Sequence, residues 1–142
     1  MKLNTLRYYD FVNSKFYILL ITRVLLVVLF IKLGIPKLIN FEQTIQYMQS
    51  LNIPFSTLAA FIAVVMEVVA PIFILIGYYT RPIAIIFAFY TIGSAILGHA
   101  YWQVPSELVQ SNMINFYKNI SIAAGFFLLS LTGPGRYSLD KK

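Results

Sequence analysis

The 142 residues carry a formal charge of +6, no cysteine and one histidine, and 59% of them are hydrophobic while only 11% are charged. So little polar surface cannot clothe a water-soluble globule, so lipid must be part of the solvent. The absence of cysteine excludes disulfides, thiolate nucleophiles and thiolate-held clusters. A single histidine excludes a multi-histidine metal site within one chain. No metal is expected. The basic residues gather at the ends of apolar runs rather than on a polar face, so anionic lipid headgroups explain the charge and nucleic acid is not expected as a partner. One integral membrane domain spanning 1–142 is expected, since four crossings of about 20 residues each leave only short loops and tails.

Residues 1–15 mix Lys2, Arg7 and Lys15 with Tyr8, Tyr9 and Phe11, and read as an arm lying at the interface. The arm lacks an obvious signal-peptidase site of small residues, and the run from Phe16 to Gly34 is too long for a typical signal core, so it reads as a retained first span. Phe41, Ile45, Met48 and Leu51 then recur at helical spacing, with Asn40 and Gln43 resembling a capping box. These predict a short interfacial helix. A second span is expected from Phe55 to Gly77, between Pro54 and a glycine suited to a helix end. After the tight turn Tyr78-Tyr79-Thr80-Arg81, Pro82 opens a third span to Gly98, which makes spans two and three antiparallel neighbours. The loop from His99 to Asn112 carries Tyr101 and Trp102 where an aromatic belt would sit, and Ser106 is placed to cap a helix running into the fourth span, Met113 to Leu131. Gly133-Pro134-Gly135 stops it, and Arg136 in the tail is placed at the headgroups. The fold class is therefore all-α, a membrane four-helix bundle with a short interfacial helix between spans one and two. Because the arm, the Arg81 turn and the tail (Arg136, Lys141, Lys142) share one side, the positive-inside rule puts both termini in the cytoplasm. Lys37, with Lys32 and Lys118 just inside span ends, marks the other side.

Ionisable groups within spans are costly in hydrocarbon, which singles out Arg23 and Glu67. Their depths of roughly 10 and 15 Å from the same end let long side chains meet, so an intramembrane polar pair is expected. Two readings stay open: the pair fixes helix register, or it lines a pocket for a ligand or proton. A second group gathers at the other end: His99, Tyr101, Trp102, Tyr117, Lys118, Asn119, Lys32 and Lys37. It could hold a polar head such as that of a quinone, whose carbonyls want His and Lys donors and whose ring wants apolar walls. Belts of aromatics and snorkelling lysines also arise without any ligand. Gly93, Ser94 and Gly98 give span three a small-residue edge that lets another helix approach closely.

Taken in order, these residues resemble the DoxX family of small bacterial membrane proteins, related to the DoxD subunit of thiosulfate:quinone oxidoreductase. The resemblance is carried by Arg23-Val24-Leu25-Leu26, Gly34-Ile35-Pro36-Lys37-Leu38, Met66-Glu67, Gly77 through Thr80-Arg81, His99 with Trp102, Lys118-Asn119, and the closing Gly133-Pro134-Gly135-Arg136-Tyr137-Ser138-Leu139-Asp140. The octapeptide is its most specific piece. The resemblance implies a compact four-helix bundle in the bacterial inner membrane, linked to respiration, quinones or redox stress. It makes the matching polar positions candidates without assigning a catalytic residue. The expectation is an accessory or quinone-interacting component of a membrane oxidoreductase system, with other redox subunits or a second copy of the chain as partners. Electron transfer would then need a bound quinone or a redox partner, since the chain has no thiol or metal of its own. The alternatives are a structural or assembly protein docked through the small-residue edge, and a small-molecule carrier.

Overall fold

The computed structural model describes residues 11, 12 and 14–140, and every regular element among them is a helix. The chain order is α1 (Lys15–Ile39), α2 (Phe41–Ser50), α3 (Ser56–Ile76), α4 (Thr80–Gly98) and α5 (Ser106–Thr132). Helices α1, α3, α4 and α5 are each long and apolar enough to cross a bilayer. The basic residues of the arm at 2 and 7, and of the tail at 141 and 142, lie outside the described residues.

The bundle differs from a soluble one in its apolar exterior and in the polar groups it buries. Large aliphatic side chains such as Leu25, Ile86 and Leu131 face outward, while Arg23, Glu67, Thr80, Thr91 and Asn119 are buried. In water this arrangement would expose an extensive apolar surface, whereas in lipid that surface meets its matching solvent. The centre is aromatic: Phe87 of α4 stacks on Phe126 of α5 at 4.4 Å, and Phe30 of α1 meets Phe87 edge-on at 4.7 Å. Small residues around them, Ala84, Ala88 and Ala123, let the helices close on these rings.

Three boundaries depart from the expected ones. Helix α1 does not stop at Gly34 but runs through Pro36 to Ile39. Proline removes only the bond to the carbonyl four residues back. The next turn is closed by the Asn40 N–H and side-chain amide, both donating to the Pro36 carbonyl at 2.9 and 3.3 Å. That use of Asn40 replaces the capping box with Gln43, which does not form. Helix α4 begins at Thr80 rather than Pro82, which therefore lies in its first turn, where a missing N–H costs nothing. Helix α5 runs unbroken from Ser106, with Pro105 as its cap residue and no side-chain cap from the serine.

At the end of the bundle that carries the tail, residues 133–140 form a strap. The Arg81 guanidinium donates to the carbonyls of Ser130, Leu131 and Thr132 at 2.9, 2.5 and 3.4 Å, occupying acceptors that the end of α5 leaves without helical donors. The Asp140 carboxylate accepts from the N–H groups of Tyr79 and Thr80, both at 3.1 Å, at the positive N-terminal pole of α4. Backbone N–H groups of Leu139 and Asp140 cap α3 through the carbonyls of Ile76 and Gly77. Gly133 and Gly135 take the positive φ values of 76° and 80° that this path requires.

Candidate functional site

Helix α3 is not a regular α-helix. Between Val65 and Val69 it widens into a π turn, with Glu67 at its middle and Pro71 four residues beyond the glutamate. In an α-helix residue 71 would donate to the Glu67 carbonyl; proline has no N–H, and its ring would collide with that carbonyl. The extra residue in the turn relieves the collision and re-aims the glutamate, a use to which π turns are often put at functional sites. Gly34 of α1 makes room for it. A Cβ at Gly34 would lie 2.6 Å from the Glu67 carbonyl oxygen and 2.7 Å from its carbonyl carbon, so only glycine lets the two helices come this close.

Close approach at Gly34 and the continuation of α1 through Pro36 together bring Lys37 to Glu67. The Lys37 ammonium donates to Oε1 at 2.6 Å and to Oε2 at 2.7 Å, and the Tyr90 hydroxyl of α4 donates to Oε1 at 2.7 Å. The glutamate side chain is 6% exposed and the lysine 29%. A buried carboxylate is tolerable only when paired and hydrogen-bonded, and three bonds from two donors supply both conditions.

This triad forms the polar wall of a cavity of about 490 Å³ between α1, α2, α3 and α4. The remaining lining is largely apolar, including Leu33, Met48, Ile62 and Leu97, with Tyr47, Ser94 and His99 as further polar members. Gly93 and Gly98 also line it, and a Cβ at either would meet nothing within 4 Å. The small-residue edge expected to pack a helix thus faces the cavity instead. None of the described helices fills it. At the cavity rim the His99 Nδ1 lies 3.4 Å from the Asn112 Oδ1. Burial lowers the imidazole's pKa from its ordinary value; the Asn112 contact opposes the shift, and the charges of Lys118 and Lys37 add to it. His99 is therefore neutral at pH 7, with one donor and one acceptor nitrogen.

The expected Arg23–Glu67 pair does not form. Arg23, wholly buried, donates through Nη2 to the Tyr137 carbonyl of the strap, while its Nε and Nη1 have no hydrogen-bond partner among the described residues. It sits against Gly77, where any Cβ would meet its Nη1. Similar depth along two helices did not imply contact, because the strap reaches Arg23 first and Lys37 reaches the glutamate from the other end. The second expected group is divided as well. Lys37 and His99 reach the cavity, but Lys118 bonds to Asn115 Oδ1 at 2.7 Å on the exposed face of its own helix. Trp102 is exposed in an aromatic cluster with Tyr101 and Phe116, at 5.1 and 5.6 Å. Asn119 is buried on α5 and does not line the cavity. Gly133, Pro134, Gly135, Arg136 and Asp140 lie in the strap, Arg136 exposed, and Arg81 of α4 bonds the end of α5 from which the strap continues. Tyr90 was missed from sequence, although a phenol three and four residues before Gly93 and Ser94 places a polar tip on the same helix face as the small residues.

The DoxX family profile matches residues 18–100. Over 140 residues the chain is 53% identical to the inner membrane protein YphA of Escherichia coli K12, covering 99% of this chain and all of that protein. It is 37% identical over 122 residues to the inner membrane protein YqjF of the same organism, covering 86% of this chain and 88% of the relative. No solved structure matches it. The matched segment contains Gly34, Lys37, Glu67, Tyr90 and His99, and with four helices able to cross a bilayer this chain is a multi-pass membrane protein that belongs to the DoxX family.

Proposed function

We propose that this chain is an inner-membrane component of a bacterial oxidoreductase system and that it binds a quinone in the cavity between α1, α2, α3 and α4. The observation that carries this reading is the Lys37–Glu67–Tyr90 triad set into an otherwise largely apolar cavity of about 490 Å³. A ligand with an apolar ring and tail and a polar edge matches such a lining, and the volume falls within the range of small-molecule sites. The polar set fits as well. Lys37 and His99 offer donors and the Tyr90 oxygen an acceptor around the place a polar head would occupy, and Leu33, Met48 and Leu97 supply walls for a ring. A bound quinone would supply the electron-carrying chemistry; the residues of this chain would bind and orient it. Lys15, Arg81 and Arg136 at the strap end support an orientation with both termini in the cytoplasm, which puts α2 and the cavity toward the opposite face.

Mass spectrometry of protein solubilised in mild detergent tests this. Wild-type protein is expected to carry quinone at near-stoichiometric amounts, and Gly93→Leu, at a cavity-lining position where an added Cβ meets nothing within 4 Å, is expected to lose it. Equal quinone in the two proteins would mean that the cavity does not hold it. The open edge at Gly93 and Gly98 favours a second reading, in which a helix of a partner subunit lies there. Copurification of a defined polypeptide with wild type but not with Gly93→Leu, in the absence of quinone, would favour that reading.

A further inference from the structure

The hydrogen-bonding capacity left over at the triad defines the ligand more narrowly. A carboxylate has about four acceptor positions. Oε1 of Glu67 takes bonds from Lys37 and Tyr90, and Oε2 takes one from Lys37, which leaves one position on Oε2. The Lys37 ammonium has three donors and spends two on Glu67, so one N–H remains. Tyr90 gives its proton to Glu67, so its oxygen can only accept. The ammonium and carboxylate cancel in charge. What completes such a site is an uncharged group that both donates and accepts, which describes a hydroxyl. A carbonyl satisfies Lys37 but leaves the open position on Oε2 without a donor in an apolar wall, where an unmet acceptor is costly. A carboxylate or phosphate head would bring a negative charge against Glu67.

We infer that the cavity selects the hydroxyl-bearing, reduced form of its ligand, a hydroquinone over the corresponding quinone, with Glu67 Oε2 as the atom that sets the preference. This rests on the quinone reading above and extends it to a choice between redox forms. A hydroquinone O–H donating to a carboxylate is charge-assisted, the stronger kind of hydrogen bond, and the same oxygen accepts from Lys37.

The test is anaerobic equilibrium binding of a decyl-substituted benzoquinone and of its hydroquinone to the full-length protein in detergent. The hydroquinone is expected to bind about tenfold more tightly, the effect of one such bond. A tenfold preference also raises the midpoint potential of the bound two-electron couple by about 30 mV, which a redox titration reads on the wild-type protein alone. Glu67→Gln, whose amide can offer N–H donors to a carbonyl, is expected to abolish or reverse the preference. Equal affinity for the two forms, or tighter binding of the quinone, with an unshifted or lowered midpoint, overturns this inference and leaves the quinone site standing. Binding of neither form removes the quinone site itself and the inference with it.

Discussion

Lys37 lies one residue beyond a proline that its helix runs through, and its ammonium sits 2.6 and 2.7 Å from the two carboxylate oxygens of Glu67 on the π turn of α3. Two local departures from regular helix therefore meet at one ion pair. Removing one partner leaves the other without its counter-charge in a mostly apolar setting, whereas removing both takes away the problem. Lys37→Met is expected to cost about 2–3 kcal/mol, below the usual buried-pair loss because the lysine is partly exposed. The double variant Lys37→Met/Glu67→Leu should recover most of it. Thermal unfolding in matched detergent reads both; a double variant less stable than Lys37→Met would contradict the pairing argument.

Gly34 and Gly93 are both helical glycines with opposite expectations. At Gly34 an added methyl meets the Glu67 backbone, which cannot rotate away, so Gly34→Ala should cost about 1–3 kcal/mol through overpacking. At Gly93 the added methyl meets nothing, so Gly93→Ala should be neutral or stabilising by up to about 1 kcal/mol from helix propensity. Similar unfolding midpoints for the two variants would mean that the approach of α1 to α3 is not as tight as the glycine implies.

The strap gives a third expectation. Asp140 serves the N–H groups of Tyr79 and Thr80 as a helix cap does, from 61 and 60 residues away in sequence. Asp140→Ala should cost about 1 kcal/mol, in line with the loss of a cap. Tryptic cleavage at Arg136 should accelerate in the variant; unchanged cleavage would show that the strap stays docked without this carboxylate.

The four spans, their order and the tight Gly77–Arg81 turn were legible because twenty-residue apolar runs and Gly/Pro punctuation act locally. So were three residues of the site as individuals, though not Tyr90: Glu67, Lys37 and His99 all stood out as polar groups at membrane depth or at its edge. Their pairing was not legible. Depth along a helix says nothing of rotation about it, and the π turn rotates Glu67 relative to a regular helix. The role of Pro36 was hidden by the rule that proline ends helices, which holds less firmly where a following asparagine doubles the bonds to the proline carbonyl. A double-mutant cycle separates the two pairings. Glu67→Ala and Arg23→Met share no hydrogen-bond partner and should add within about 0.5 kcal/mol, while Glu67→Ala and Lys37→Met should depart from additivity by more than that. Strong coupling of Glu67 to Arg23 would restore the pairing expected from sequence.

His99 supplies the pH dependence. Its folded pKa is held below the ordinary 6.5, first by burial, with Lys118 and Lys37 adding to the effect against the Asn112 contact. In the unfolded chain the imidazole takes a proton as pH falls through about 6.5, whereas in the folded protein it resists until lower pH. The unfolded state thus binds more protons in that window, and stability must fall as pH drops below about 6.5 and rise again as pH is raised. The contribution of this group is complete above 6.5 and is lost toward its folded pKa. In His99→Gln the unfolding midpoint should depend less on pH between about 7.5 and 5.5 than in wild type, with the two proteins diverging most at the acid end. Parallel pH profiles would mean that the imidazole titrates alike in both states, and that it is not held neutral at the cavity rim.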